Sequence, residues 1–185
     1  MKATMKAMAK VFLVSTFITV SLVSTSFAHE RTLPTVKSVD IGKFIGKWYA
    51  VSSLPQRFTK KCLSQNAEYS IRSADSINVL NTCIKKDNKI ETIKGKAVVA
   101  NPETNAELIV TFDNFFTRLF RVKGDYNIVA LDSDYQNLIV GSRDRKSLWI
   151  MSRTPNMDEA VFKEYVAYAA TLGFDTKALV DSKYE

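Results

Sequence analysis

Between residues 47 and 153 the chain repeats one local pattern eight times. Short stretches of alternating apolar and polar side chains are cut by turn-forming clusters: Ser-Ala-Asp-Ser at 73–76, Lys-Lys-Asp-Asn-Lys at 85–89, Asn-Pro-Glu-Thr-Asn at 101–105 and Asp-Ser-Asp-Tyr at 132–135. Alternation at period two sends successive side chains to opposite faces of a strand. The spacing predicts strands near 47–54, 63–73, 76–84, 90–100, 105–112, 124–131, 135–142 and 147–153. Eight short strands joined by such turns fold as an antiparallel sandwich or barrel.

One segment departs from this rhythm. In TPNMDEAVFKEYVAYAATLGF (154–174), Asn156 can cap a helix with Glu159 three places on, and Gly173 suits its end. Val161, Tyr165, Tyr168 and Leu172 recur at helical spacing, which predicts one amphipathic helix against the outside of the sheet. A last short strand is expected near 178–183, and VDIGKFIG (39–46) allows a short helical turn before the first strand.

The start of the chain has another character. Lys2, Lys6 and Lys10 precede an apolar run from Val11 to about Val23, and Ser26 and Ala28 stand at cleavage positions. This is the layout of a secretory signal peptide, predicted over 1–28, which leaves 29–185 as one domain. The signal takes three lysines from the formal net charge of +7. The remaining excess is too small to imply nucleic acid without a recognised basic, aromatic module. Two cysteines, Cys62 and Cys83, in an exported chain suggest a disulfide, with two reduced thiols as the alternative. Two Cys and the lone His29 are too few ligands for a zinc site, and no cofactor is indicated.

Three separated stretches carry a family resemblance: GKWY at 46–49, DSDY at 132–135 in place of a Thr-Asp-Tyr turn, and LWIMSRTP at 148–155. With these motifs in order, the chain resembles the lipocalins, most closely the bacterial outer-membrane lipocalin subfamily related to apolipoprotein D. The resemblance implies an all-β fold: an eight-stranded antiparallel up-and-down barrel with one C-terminal α-helix packed outside and an apolar cavity open at one end. It places Trp48 at the closed end with Arg153 over its ring, and gives Gly46 the role of making room where the chain crosses the barrel bottom. Members that are lipoproteins need a Cys after the cleavage site, and this chain has none before Cys62. The expectation is therefore an exported, soluble form in a bacterial periplasm, with outer-membrane association left open.

His29, in the terminal arm, leaves no histidine in the barrel for a Ser-His-Asp or Cys-His arrangement. Cys62 beside Lys60 and Lys61 is the enzymatic alternative, of redox or isomerase type, because flanking cations lower a thiol's pKa. The family's topology favours a structural bridge instead, since it puts Cys62 and Cys83 together at the open end. For ligand binding, parity with Trp48 turns Ala50 and Ser52 inward. Alignment to the family pattern adds Tyr69, Val79 and Asn81, and Ile93, Leu108, Val110, Phe112, Ile128 and Trp149 complete the lining. Such a lining suits an acyl chain. The alternative is that these side chains simply fill a small core.

The loops that the family topology sets at the open end are basic. They hold Arg57, Lys60 and Lys61; Lys85, Lys86 and Lys89; Arg118, Arg121 and Lys123; and Arg143, Arg145 and Lys146, against Asp87, Asp113 and Asp144. Lys60, Lys61, Arg118 and Arg121 are expected to attract anionic head groups to the mouth. Phe115, Phe116, Leu119 and Phe120 give the same rim an apolar tip suited to peripheral contact with an anionic membrane surface. The reading is a monomeric or weakly dimeric carrier of a fatty acid or lysophospholipid.

Overall fold

The computed structural model describes residues 32–113 and 123–184. The expected signal peptide, His29, and the loop with Arg118, Arg121 and its four apolar residues lie outside the described residues. The strands are β1 (Gly46–Ser53), β2 (Cys62–Ser73), β3 (Ser76–Lys85), β4 (Ile90–Val99), β5 (Glu107–Phe112), β6 (Gly124–Leu131), β7 (Asn137–Gly141), β8 (Leu148–Ser152) and β9 (Val180–Asp181). Among the described residues two α-helices accompany them, α1 (Ile41–Phe44) and α2 (Glu159–Thr171), with a short 3-10 turn at Thr176–Ala178.

β2 to β8 pair in sequence order, β8 pairs with β1, and β1 pairs with β2, so the sheet closes on itself. All these pairings are antiparallel. Closure leaves each strand one inner and one outer face, which is why the alternation was so regular. The inner face holds Trp48, Ala50, Ala67, Tyr69, Ile77, Val79, Leu108, Val110, Ile128, Leu138, Val140 and Met151 in one buried cluster. The outer faces of β6, β7 and β8 contribute Val129, Ile139, Leu148 and Ile150 to a second cluster beneath α2.

α2 differs from its sequence expectation at its start. Its N-cap is Asp158, whose side chain accepts from the N–H groups of Ala160 and Val161. Asn156 instead takes part through its carbonyl, which accepts from the Thr154 hydroxyl at 2.6 Å. The stripe facing the barrel is Phe162, Tyr165, Val166 and Ala169, while Tyr168 is 39% exposed. At the other end Gly173 has φ +89°, with Gly173 N–H donating to Ala170 O and Phe174 N–H to Ala169 O. That pair of bonds closes the helix C-terminus and turns Phe174 onto Ala169 in the outer core.

A bulge in β1 corrects one sequence expectation. Ala50 pairs with Met151, but Ser52 pairs with Ile150 and Ser53 with Trp149, so Val51 is an extra residue. A bulge of one residue reverses parity beyond it. Ser52 is thereby carried to the outer face beside Ile150, and Ser53 faces inward beside Trp149. Ser52 is wholly buried, and its Oγ has no hydrogen-bond partner among the described residues.

The C-terminal segment completes the wall. Ala50 and Gln65 are the last β1–β2 pair, and above them β9 pairs with Ser52 and Ser53. Lys183 N–H donates to Leu63 O at 2.8 Å, and the Tyr184 hydroxyl sits against the carbonyls of Ala50 and Gln65. β9 therefore fills the seam where β1 and β2 part.

Candidate ligand-binding site

The closed end is built from all three motifs. Asp40 accepts from Gly42 N–H and Lys43 N–H, so α1 starts at a fixed angle and delivers Phe44, fully buried, under the barrel. Trp48 Nε1 donates to Phe44 O at 2.8 Å. The Arg153 guanidinium lies 3.8 Å from the Trp48 ring centroid. Its nitrogens donate to the carbonyls of Tyr135 (3.1 Å), Lys47 (3.1 Å), Lys43 (2.6 Å) and Phe44 (3.1 Å). Burial pulls the Arg153 pKa down from its ordinary value. In the DSDY turn, Asp132 accepts from Gln136 N–H and Asn137 N–H, and the Tyr135 hydroxyl accepts from Asp40 N–H at 2.9 Å. Gly46 has φ +98°, and a Cβ there would meet Arg153 Nη1 at 3.2 Å. Its role is a left-handed backbone with clearance for the arginine cap.

Above this floor the inner face changes from sealed to accessible. Phe44, Trp48, Ile128, Leu138 and Val140 have no exposed surface. Further up, the inward positions Gln65, Asn81, Ile93, Phe112 and Trp149 are only half-buried although they face a closed barrel. Solvent therefore reaches the upper interior. Val79 faces Gly95 across the β3–β4 pair, and a Cβ on Gly95 would meet Phe112 at 2.9 Å, so the missing side chain gives that ring its seat. Of the eleven lining residues expected from sequence, Ala50, Tyr69, Val79, Leu108, Val110, Ile128, Asn81, Ile93, Phe112 and Trp149 share this face, and Ser52 does not. Ser53, Gln65, Tyr126 and Met151 were missed. Parity with Ile128 would have found Tyr126, whereas Ser53 was hidden by the bulge.

Polar groups punctuate the interior at two heights. Deep inside, the hydroxyls of Tyr69 and Tyr126 are 2.7 Å apart, and burial pushes Tyr69 up to about 12 and Tyr126 well above its ordinary value. At the mouth Cys62 and Cys83 form a disulfide with Cα atoms 5.3 Å apart. These are the only two cysteines in the sequence, so Cys62 carries no thiolate and the cysteine-dependent alternative loses its nucleophile.

A family profile described as a lipocalin-like domain matches residues 39–183. The chain belongs to the lipocalin family. Temperature-induced lipocalin-1 of Arabidopsis thaliana is 33% identical over 154 residues, covering 82% of this chain and 82% of that protein. Outer membrane lipoprotein Blc of Escherichia coli (strain K12) is 32% identical over 151 residues, covering 81% and 82%. Among solved structures, insecticyanin from the tobacco hornworm Manduca sexta matches with a TM-score of 0.64 at 17% identity, covering 83% of this chain and 85% of that one.

In this lipocalin the mouth is basic, but less uniformly than the loops suggested. Lys60 and Lys61 are exposed beside Phe58, which is 69% exposed. Lys85 pairs with Glu91, and Lys89 lies 3.8 Å from the same carboxylate. The Lys85 contact holds the Glu91 pKa below its usual value. Arg143 turns down the outer wall to Glu107 (2.6 Å) and Asp125 (3.4 Å), and Arg145 donates to the Leu172 carbonyl at the end of α2. The 142–147 loop is thus committed to the outer wall. Its neutralising partners, Glu107 and Asp125, sit in strands, where a count of loop charges overlooked them.

Proposed function

We propose that this lipocalin is an exported carrier, of the bacterial periplasm, that holds a fatty acid or lysophospholipid with its chain in the upper barrel and its head group at the basic mouth. The observation that carries the reading is the inward yet accessible surface of Ile93, Phe112 and Trp149 above a sealed floor. An apolar wall open to solvent at one end gains most by burying a chain, at about 0.8 kcal/mol per methylene. The polar mouth then takes the part that stays hydrated. Carriage without chemistry is supported by the closed disulfide and by the purely structural roles of Gly46, Trp48 and Arg153. The likeness to an outer membrane lipoprotein supports an envelope setting. A monomer or weak homodimer suffices, since the barrel is closed by its own chain.

The test compares an anionic and a neutral lysophospholipid of equal chain length, at low and high salt, using Trp149 fluorescence. Replacing Lys60, Lys61, Arg118 and Arg121 together with Ser should remove preference for the anionic lipid while the neutral one still binds, because exposed charges act through a screened field. Equal wild-type binding of both lipids at low salt would make the rim a mere solvated surface. Binding of neither would show a filled barrel and end the carrier reading.

A further inference from the structure

Tyr69 stands on β2 and Tyr126 on β6, four strands apart in an eight-stranded closed sheet, so the two side chains reach toward each other from opposite walls. Their hydroxyls meet at 2.7 Å, with the rings edge to face at 74° and centroids 6.1 Å apart. Phe44 stacks under Tyr69 at 5.1 Å, so the packed floor lies directly beneath the bridge. Tyr126 faces inward but is only half-buried, which means that its free surface opens onto interior space.

Two phenols hold two O–H protons, and one hydrogen bond between them uses one. Neither hydroxyl has a second partner among the described residues. The neighbours across the sheet, Val79 beside Tyr69 and Leu108 beside Tyr126, carry no polar atoms in their side chains. One donor is therefore left without a protein acceptor among the described residues and points into the interior space, where a bound chain that displaces water must offer it an acceptor or leave it unpaired at a cost.

We propose that the Tyr69–Tyr126 bridge is an anchor for the inner end of the ligand, selecting chains that bear a neutral oxygen acceptor, a hydroxyl or carbonyl, at the end remote from the head group. The inference rests on the carrier reading and refines its ligand class. A neutral acceptor fits because, among the described residues, no cation contacts the bridge to compensate a buried carboxylate. A ligand oxygen extends the phenol pair into a chain of hydrogen bonds, each polarising the next.

The experiment measures the affinity of palmitate and of its ω-hydroxy and ω-oxo derivatives, with shorter and longer homologues, for the wild type and for Tyr69→Phe/Tyr126→Phe. In an unadorned apolar chamber the oxygenated chains should bind more weakly than palmitate, because their polar end is desolvated without return. The wild type should instead hold the best-fitting oxygenated homologue at least as tightly as palmitate. In the double variant the affinity of that homologue relative to palmitate should fall about tenfold, whatever the change in palmitate affinity itself. Should the variant fail to fold, the wild type alone decides: the oxygenated chain must shift the near-ultraviolet tyrosine band on binding, and palmitate must not. An equal penalty for oxygenated chains in both proteins, or no difference in the tyrosine band, overturns the anchor while leaving the carrier intact. Failure of every chain to bind the wild type overturns both.

Discussion

Arg153 shows how much one side chain can settle at the closed end. It covers Trp48 and donates to four carbonyls from three segments. Arg153→Ala removes a cation–π contact of roughly 0.5–2 kcal/mol and strands acceptors at roughly 1–3 kcal/mol. The expected loss is about 3 kcal/mol in a denaturant titration, with lipid affinity per folded molecule nearly unchanged. An unaltered midpoint would show the cap to be idle. Ser52 should respond in the opposite direction. Its buried Oγ lacks a partner, so Ser52→Ala should leave stability unchanged or raise it by about 1 kcal/mol. A loss of more than that would mean that the hydroxyl is satisfied after all. The two residues also differ in legibility. Trp48 and Arg153 sit in motifs that announce their partnership, whereas the orientation of Ser52 hangs on a bulge that leaves no trace in the alternation of AVSS.

At the scale of elements, β1 to β5 were legible because they present one wetter and one drier face, and β6 to β8, whose outer faces are buried beneath α2, because turn residues bound them; the observed bounds lie within two residues of the sequence reading at every end. Helix α2 was legible in existence and in its Gly173 end. Its cap was not, because Asn156 and Asp158 are both good caps and only the packing of the first turn chooses between them. Asp158→Ala should therefore cost about 1 kcal/mol, and Asn156→Ala less. Equal costs in thermal unfolding would put the cap in doubt. The disulfide ties β2 to β3 at the mouth, where Cys62 opposes Lys85 and Cys83 opposes Gln65. Closing a sequence separation of 21 corresponds to roughly 3 kcal/mol of chain entropy. Reduction should lower stability by that order and preserve lipid binding; loss of binding at a temperature where the reduced barrel stays folded would give the bridge a role in the site. The basic rim was the least legible element, because charges in loops declare themselves while their partners in strands do not.

At the scale of the whole molecule, four wholly or partly buried phenols share one sign. Burial raises Tyr69, Tyr165 and Tyr184 to about 12, and Tyr126 well above the ordinary 10.0. Both folded and unfolded chains keep these protons below pH 10, so their contribution is fully present there. As pH rises above 10 the unfolded chain loses protons first, and stability falls progressively toward the folded values. The denaturation midpoint should drop between pH 10 and 12, and drop less in Tyr69→Phe/Tyr126→Phe. Equal slopes would remove these two phenols from the linkage. The central claim remains that the closed barrel is a cup with lipid in its upper half. Native mass spectrometry of the protein purified from its own host, with the same sample re-exposed to palmitate and lysophospholipid after lipid extraction, tests it most directly. The expected spectrum shows one acyl lipid per chain, lost on extraction and regained on exposure. A bare chain mass both before and after exposure would contradict the account.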